Sequence, residues 1–206
     1  MKKNEKLTEQ KADLVYLTGE RRNIDMEKER SNQRRDSLVA RLRASDRTAA
    51  TELVDIYYEQ IYLYLRRLGH DRQVSEDLTQ ESFLNAWHHI GQLRDGKALD
   101  SWLYRIASNV SKLYWRKHKH KEVVGIEGID IKDSNEGEFD EVGYYEKLEQ
   151  MKKVIARLPF KLRQTIVLHY MQQLTITESA EAAEVKEGTF KSRLNRALKA
   201  LRKNII

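Results

Sequence analysis

Apolar residues recur at helical spacing in the first half of the chain and predict a small helical bundle. A short apolar stripe follows Asp36, and a longer predicted helix ends at Gly69; their apolar positions are Leu38, Val39 and Leu42, then Leu53, Ile56, Tyr57, Ile61, Leu65 and Leu68. Ser75 is expected to cap the next helix, whose apolar positions are Phe83, Ala86, Trp87, Ile90 and Leu93. A last helix is predicted from about Asp100 to Lys117.

The second half shows the same spacing in shorter segments. One helix is predicted from about Tyr144 to Arg157, and the next carries Leu162, Ile166, Val167 and Tyr170. Thr175 and Glu178 have the spacing of a capping box, so a short helix should begin there. After a break at residues 184–188, a basic helix is predicted to about Lys203. A short helix, a tight turn and a basic helix are typical of a helix-turn-helix.

Two polar stretches set the limits of these units. Residues 1–35 combine dense charge with few apolar residues, so we expect a poorly ordered extension; Met26 within it is a hypothetical translation start. Residues 119–145 contain four glycines and many acidic residues, which predicts a flexible acidic linker. The expected fold is therefore all-α, with two small helical domains at residues 36–118 and 146–206 and a helix-turn-helix in the second.

Composition excludes several classes of protein. The chain of 206 residues has no cysteine and one proline, which excludes disulfide scaffolds and thiolate sites and suits a cytoplasmic protein. No run of 18 apolar residues predicts a membrane span, and no apolar stretch of a signal peptide follows Met1. Phosphate-binding loops and hydrolase motifs are missing from the sequence, and His118 and His120 lie in a basic run that indicates no metal site. We therefore expect no enzyme, cofactor, metal site or small-molecule substrate.

Charge is distributed unevenly along the chain. The net charge is +6, but residues 121–145 carry eight acidic and two basic residues. The tract from Ser101 to Lys121 has no acidic residue, and residues 186–206 carry seven basic residues against one acidic residue. Phosphate groups would complement both basic tracts, although charge alone fits a solvated helix face equally well.

The predicted helix at residues 100–117 collects polar side chains on one face. At 100° per residue, an arc of about 60° holds Arg105, Asn109, Lys112 and Arg116, and Tyr104 and Trp115 flank it. Cations can hold phosphate, an amide can read a base edge and aromatic rings can stack on bases, so the face suits unpaired nucleic acid. An ordinary solvated face with half-buried rings is the alternative. Leu113 falls on the predicted core face.

Two further helices have candidate binding faces. The final helix places Phe190, Leu194 and Leu201 on one side and a basic face on the other, formed by Lys191, Ser192, Asn195, Arg196 and Lys199. That face fits a helix in the DNA major groove, or a helix that is basic only for solubility. The helix near residue 80 directs Asp77, Gln80 and Glu81 outward, which suits either a basic protein partner or solvent.

Two groups of residues resemble bacterial sigma factors of the extracytoplasmic-function (ECF) group. The stretch Asp77–Trp87 and the stretch Trp102–Asn109 resemble the second conserved domain of these proteins. Leu158-Pro159, Arg163 and the stretch Gly188–Ala197 resemble the fourth domain, in the same chain order. The resemblance implies a specificity subunit that binds core RNA polymerase, captures the −10 promoter element as a single strand and reads the −35 element as duplex. An anti-sigma factor is a further implied partner.

The resemblance also implies residue roles. It places Asp77, Gln80 and Glu81 on the polymerase-docking helix, Arg105, Asn109, Lys112 and Arg116 on the −10 helix between Tyr104 and Trp115, and Lys191, Ser192, Asn195, Arg196 and Lys199 at the −35 element. Ser179 and Ala182 are smaller than is usual in the family, which predicts loose packing of the capped helix, and Glu184 replaces a small turn residue. The rival hypothesis is an autonomous helix-turn-helix regulator that binds duplex DNA as a dimer.

Overall fold

A computed structural model describes residues 29–93, 95–118 and 150–205 as helices joined by short loops. No strand occurs within these ranges, and the predicted all-α class is confirmed. The helices are α1 (29–43), α2 (Arg47–Arg67), α3 (Arg72–His89), α4 (Leu99–Lys117), α5 (150–157), α6 (Phe160–Ile166), α7 (Ile176–Ala182) and α8 (Glu187–Ile205). Short 3₁₀ turns at Ile90–Gln92 and Gly96–Ala98 connect α3 to α4, and a π-helical turn at Val167–Met171 extends α6.

Side-chain caps determine where several helices begin. Asp71 caps α3, since its carboxylate accepts a 2.8 Å hydrogen bond from the backbone nitrogen of Val74. The expected Ser75 cap is wrong, because Ser75 lies fully buried inside this helix. The capping box of α7 is confirmed: Glu178 accepts a 2.8 Å bond from the Thr175 backbone nitrogen, and the Thr175 hydroxyl accepts one from the Glu178 backbone nitrogen.

The N-terminal unit begins earlier than the sequence pattern predicted. Residues 29–35, assigned above to a poorly ordered extension, are helical, and Arg35 forms a 2.9 Å ion pair with Asp100. Asp36 accepts a 2.7 Å hydrogen bond from the Gly96 backbone nitrogen. A Cβ on Gly96 would lie 2.5 Å from the Asp36 backbone nitrogen, so this approach of α1 to the loop before α4 requires glycine. Residues 1–28, with Met26, and the predicted acidic linker fall outside the described ranges.

The two units share one hydrophobic core. Leu68, Trp102 and Tyr104 of the N-terminal unit belong to the same buried cluster as Leu168 and Phe190 of the C-terminal unit. A second, smaller cluster lies within the C-terminal unit and is built from Ile155, Leu158, Ile166, Leu194, Ala197 and Leu201. Helix α7 packs directly against α4. The two predicted domains therefore pack against each other in this structure.

Small residues allow this close packing of α7. Ser179 and Ala182 are both fully buried, and Ala180 and Ala183 are also buried in the shared core. The expected loose packing of the capped helix is wrong, because small side chains let one helix approach another at short distance. Helix α7 thus lies between α4 on one side and α8 on the other.

His70 is a buried histidine that should make stability depend on pH. The side chain is 2% exposed, its Nε2 shares a 2.7 Å hydrogen bond with Ser111 Oγ, and its ring stacks on Trp115. Burial, and then the positive charge of Arg163, lower the pKa of His70 to about 4, against an opposing effect of Asp71. Between pH 6.5 and 4 the unfolded chain therefore binds a proton that the folded chain does not, so stability falls as pH falls.

We expect His70→Gln to remove this dependence. The amide can keep a hydrogen bond to Ser111 and cannot take up a proton. The wild-type protein should lose about 2 kcal/mol more of its free energy of unfolding between pH 7 and pH 5 than the variant. Urea unfolding followed by circular dichroism at both pH values measures the difference. Equal losses in the two proteins would contradict the neutral, buried state of His70.

Candidate nucleic-acid interfaces

Helix α4 presents the predicted polar face, although a neighbouring helix borders it. Arg105, Asn109 and Lys112 are half-buried and Arg116 is exposed. Lys112 Nζ donates a 3.2 Å hydrogen bond to Asn109 Oδ1, so the cation and the amide lie side by side. The structure therefore brings these four residues onto one side of α4, as the helical spacing predicted.

The two aromatic residues predicted to flank this face are packed rather than free. Tyr104 is 3% exposed, its hydroxyl donates a 2.7 Å hydrogen bond to Gln172 Oε1, and its ring meets Tyr64 edge to face. The Tyr104 ring is therefore not free to stack on a base in this structure, because the C-terminal unit covers that side of α4. Burial raises the pKa of Tyr104 above its ordinary value, so the hydroxyl stays protonated and remains a donor.

Trp115 is half-buried and stacks one face of its ring on His70, with 4.8 Å between the ring centroids. Its Nε1 is buried and has no hydrogen-bond partner among the described residues. The Trp115 ring is therefore held in place by His70 and lies beside the polar face of α4. Leu113 was predicted to lie on the core face of α4, but its side chain is 50% exposed, so that prediction is wrong.

A cavity that the sequence pattern did not reveal opens beside Arg105. It has a volume of about 660 Å³, and its walls include Leu93, Trp102 and Arg105 from the N-terminal unit and Glu181 and Glu184 from the C-terminal unit. The Glu184 carboxylate lies 3.4 Å from Lys112 Nζ. The Ser101 hydroxyl donates a 3.0 Å hydrogen bond to Glu181 Oε2. The cavity and its two carboxylates exist only because the two units pack together. The one sequence feature that pointed to them was Glu184, which replaces a small turn residue.

Helix α8 has the amphipathic geometry expected from its sequence. Phe190 and Ala197 are fully buried, and Leu194 and Leu201 are at most 9% exposed. The opposite side consists of exposed polar residues: Lys191, Ser192, Asn195, Arg196 and Lys199. The Glu187 carboxylate in the first turn lies 3.5 Å from Lys191 Nζ, and within the described residues Arg196 and Lys199 form no ion pair. The face is free for a polyanionic partner.

The outer side of α3 combines acidic and apolar groups. Asp77, Gln80 and Glu81 are exposed as predicted, and Leu84, one turn after Gln80, is 61% exposed. The sequence analysis did not identify Leu84. The signal was available, because a leucine outside the helical spacing of Phe83, Ala86 and Trp87 is expected on the exposed side of the helix. Beside it, the ring of Phe83 stacks on Tyr58 of α2, and Tyr58 also stacks on Tyr62. The surface is suited to a protein partner more than to nucleic acid.

Other kinds of site find no support in the part of the chain that the structure describes. No group of three or more histidine, aspartate and glutamate side chains could hold a metal ion there. None of the described helices is both long and apolar enough to cross a membrane.

Two sequence-family models match the chain in order. The model for Sigma-70 region 2 matches residues 53–121, and the model for Sigma-70, region 4 matches residues 148–201. The ECF RNA polymerase sigma factor SigW of Bacillus subtilis is 33% identical over 177 residues, which cover 81% of this chain and 94% of that protein. The ECF RNA polymerase sigma-E factor of Escherichia coli is 30% identical over 175 residues, which cover 80% and 90%.

Solved structures show the same fold. CnrH, solved in complex with the cytosolic domain of CnrY, aligns with a TM-score of 0.61 at 19% identity over 82% of this chain and 96% of that chain. The sigma factor RpoE of Bartonella quintana, solved with the anti-sigma factor NepR, aligns with a TM-score of 0.54 at 23% identity over 75% and 95%.

Proposed function

The chain belongs to the extracytoplasmic-function group of RNA polymerase sigma factors, which direct promoter-specific transcription, and we propose that it divides this work among three surfaces. The alternative hypothesis of an autonomous helix-turn-helix regulator is not favoured, because the models for Sigma-70 regions 2 and 4 both match this chain, in that order. Sigma factors are not known as enzymes, and we propose that this chain acts by binding alone, in the cytoplasm.

We assign the −35 element to α8, and this assignment carries the proposal. Five polar side chains, three of them basic, share one exposed face while the apolar side of the same helix is buried. A helix of this kind, preceded by a capped helix and a short turn, fits the major groove. Basic groups would contact phosphates, and Asn195 has the paired donor and acceptor that adenine requires.

We assign the −10 element to α4 as a single strand. Arg105, Asn109, Lys112 and Arg116 lie on one side of this helix, and a cavity beside Arg105 is bordered by the Trp102 side chain. Cations along one helix face can follow a phosphate backbone, and a cavity with an aromatic wall can receive an unstacked base. Trp115 would contribute only the part of its ring that His70 does not cover.

We assign polymerase docking to α3. Asp77, Gln80 and Glu81 are exposed, and the exposed Leu84, one turn after Gln80, adds an apolar contact beside them. An exposed leucine beside acidic groups fits a basic, partly apolar protein surface. An anti-sigma factor is a further proposed partner, on the basis of the family alone.

Transcription in vitro tests the proposed function. Purified chain and bacterial core polymerase are incubated with a library of promoter fragments, and transcripts are sequenced to identify start sites. We expect transcripts only when both proteins are present, from fragments that share two elements at constant spacing. Failure of the chain to associate with core polymerase, or strong sequence-specific duplex binding by the chain alone as a dimer, would contradict it.

Arg196→Ala should weaken promoter binding by the holoenzyme and reduce its dependence on salt. Loss of one phosphate contact lowers the slope of log affinity against log salt concentration by about 1. Arg157→Ala is a matched control, since Arg157 is also exposed but lies on α5, outside the polar face of α8. Fluorescence anisotropy on promoter duplex over a range of salt concentrations measures both slopes. An unchanged slope for Arg196→Ala would exclude a phosphate contact at this position.

A further inference from the structure

A pocket that has no role in the assignments above opens between α3 and the C-terminal end of α4. It has a volume of about 510 Å³, and its lining comes from α3 and from residues 110–118. Leu78 and Val110 are buried at its base, whereas Leu113 is half exposed. The C-terminal unit contributes no residue to this lining, so the pocket belongs to the N-terminal unit alone.

Leu113 lies at the edge of the polar face of α4, among side chains that we assign to DNA. Asn109 lies four residues before it, and Arg116 and Lys117 lie three and four residues after it. At these spacings the side chains of one helix are neighbours. Arg116 and Lys117 are exposed and form no ion pair within the part of the chain that the structure describes. The surface therefore combines an exposed aliphatic side chain with two unpaired cations.

This combination is complementary to a nucleotide that carries a methyl group. Thymine is the one standard DNA base with a methyl group, at C5, and apolar side chains contact that group in protein–DNA complexes. The Leu113 side chain has no polar atom, so it cannot form a hydrogen bond with the edge of any base. Glu81 lines the α3 side of the pocket, where its carboxylate would repel phosphate. Phosphate groups are therefore expected on the α4 side, beside the two cations.

We propose that this pocket is a thymine site for the −10 region: Leu113 contacts the 5-methyl group of one thymine, and Arg116 and Lys117 hold the neighbouring phosphates. The inference rests on the proposed function of α4, and it adds a base preference that the cations of this helix do not supply. Burial of one methyl group contributes about fourfold to affinity. The holoenzyme should therefore prefer thymine to the same base without its methyl group by about that factor.

A polymerase side chain is the competing occupant of the pocket, because Glu81 also belongs to the surface that we assign to docking. Charge argues against it. The docking surface on α3 is acidic and requires a basic partner, whereas Arg116 and Lys117 beside Leu113 would repel basic groups. The same two cations attract the phosphates of a nucleotide, so the nucleotide is the better complement.

The first test is transcription by the holoenzyme from promoter fragments whose −10 region is randomised. We expect transcripts made with the wild-type chain to be enriched in thymine at one position, and Leu113→Ala to reduce that enrichment about fourfold. Ile56→Ala on α2 is the matched control, since Ile56 is 48% exposed against 50% for Leu113 but lies away from α4. Thymine enrichment that is equal in all three proteins, or missing at every position in the wild type, would overturn the proposal.

The second test removes the methyl group alone. Uracil replaces thymine at the enriched position, and anisotropy of the fluorescein-labelled promoter measures binding by the holoenzyme. We expect about fourfold weaker binding of the uracil promoter by the wild type and equal binding of both promoters by Leu113→Ala. If Leu113→Ala instead lowers affinity for core polymerase and keeps the base preference, the pocket belongs to polymerase and the thymine site is overturned. Failure of the wild-type holoenzyme to transcribe contradicts the proposed function, whereas normal transcription without a methyl preference overturns only the thymine site.

Discussion

Replacing Arg105 and Asn109 together with alanine should reduce promoter opening by the holoenzyme about 100-fold while leaving its affinity for core polymerase unchanged. Each residue lies on the α4 face assigned to the −10 strand, and one good side-chain contact to a base or phosphate contributes about 1–3 kcal/mol. Both side chains are half-buried at the helix surface, so the fold should tolerate their loss. Fluorescence of 2-aminopurine in the −10 region follows strand opening, and anisotropy of labelled core polymerase follows docking.

Leu84→Ala on α3 is the matched control, because we expect the opposite result. Leu84 is 61% exposed on the surface assigned to polymerase docking, so its loss should weaken polymerase binding and leave opening normal at saturating polymerase concentration. If the Arg105 and Asn109 variant instead lost polymerase affinity, the assignment of α4 to the DNA strand would be wrong.

Phe190→Ala should unfold the C-terminal unit and abolish promoter recognition. Phe190 is fully buried in the core that both units share, and truncation of a buried phenylalanine costs about 3–5 kcal/mol. A unit of this size has little stability beyond that amount. Thermal unfolding followed by circular dichroism should show a lower midpoint or a separate early transition, and transcription from any −35-dependent promoter should be lost.

Asn195→Ala serves as the control for that experiment. Asn195 lies on the same helix but is exposed, so its loss should weaken promoter binding without moving the unfolding midpoint. The pair separates loss of fold from loss of contact. A Phe190→Ala chain that unfolds at the wild-type temperature would show that the described core does not stabilise the C-terminal unit.

Local features were predictable because they depend on neighbours in sequence. The bounds of α4 follow from its helical spacing, and the Thr175 cap follows from a glutamate three residues later. The apolar and polar sides of α8 agree with its sequence pattern for the same reason. The Ser75 cap failed because Asp71 lies four residues earlier and offers a carboxylate to the backbone at that point. In that case two good caps competed, and propensity alone did not distinguish them.

The surroundings of α4 were not predictable from its own sequence. A helical projection places Tyr104 beside the polar arc and Leu113 on the apolar side, but it contains no information about which neighbour covers each side. The structure buries Tyr104 beneath the C-terminal unit and leaves Leu113 half exposed. The small residues Ser179 and Ala182 suggested a loose helix, yet they allow α7 to pack closely. The energy of such contacts depends on the partner surface, which lies about 75 residues away along the chain.

By itself, the amino-acid sequence determined the helical class, the two units, the basic faces of α4 and α8 and the family to which the chain belongs. All of these depend on side-chain periodicity, on charge and on short motifs, which act over a few residues. Only the tertiary structure decided that the two units share a core and that Glu184 of the C-terminal unit lies beside Lys112 of α4. Those contacts join residues that are distant in sequence. They form because apolar surface of α4 and α7 is more stable when the two helices bury it against each other than when two separate units expose it to water.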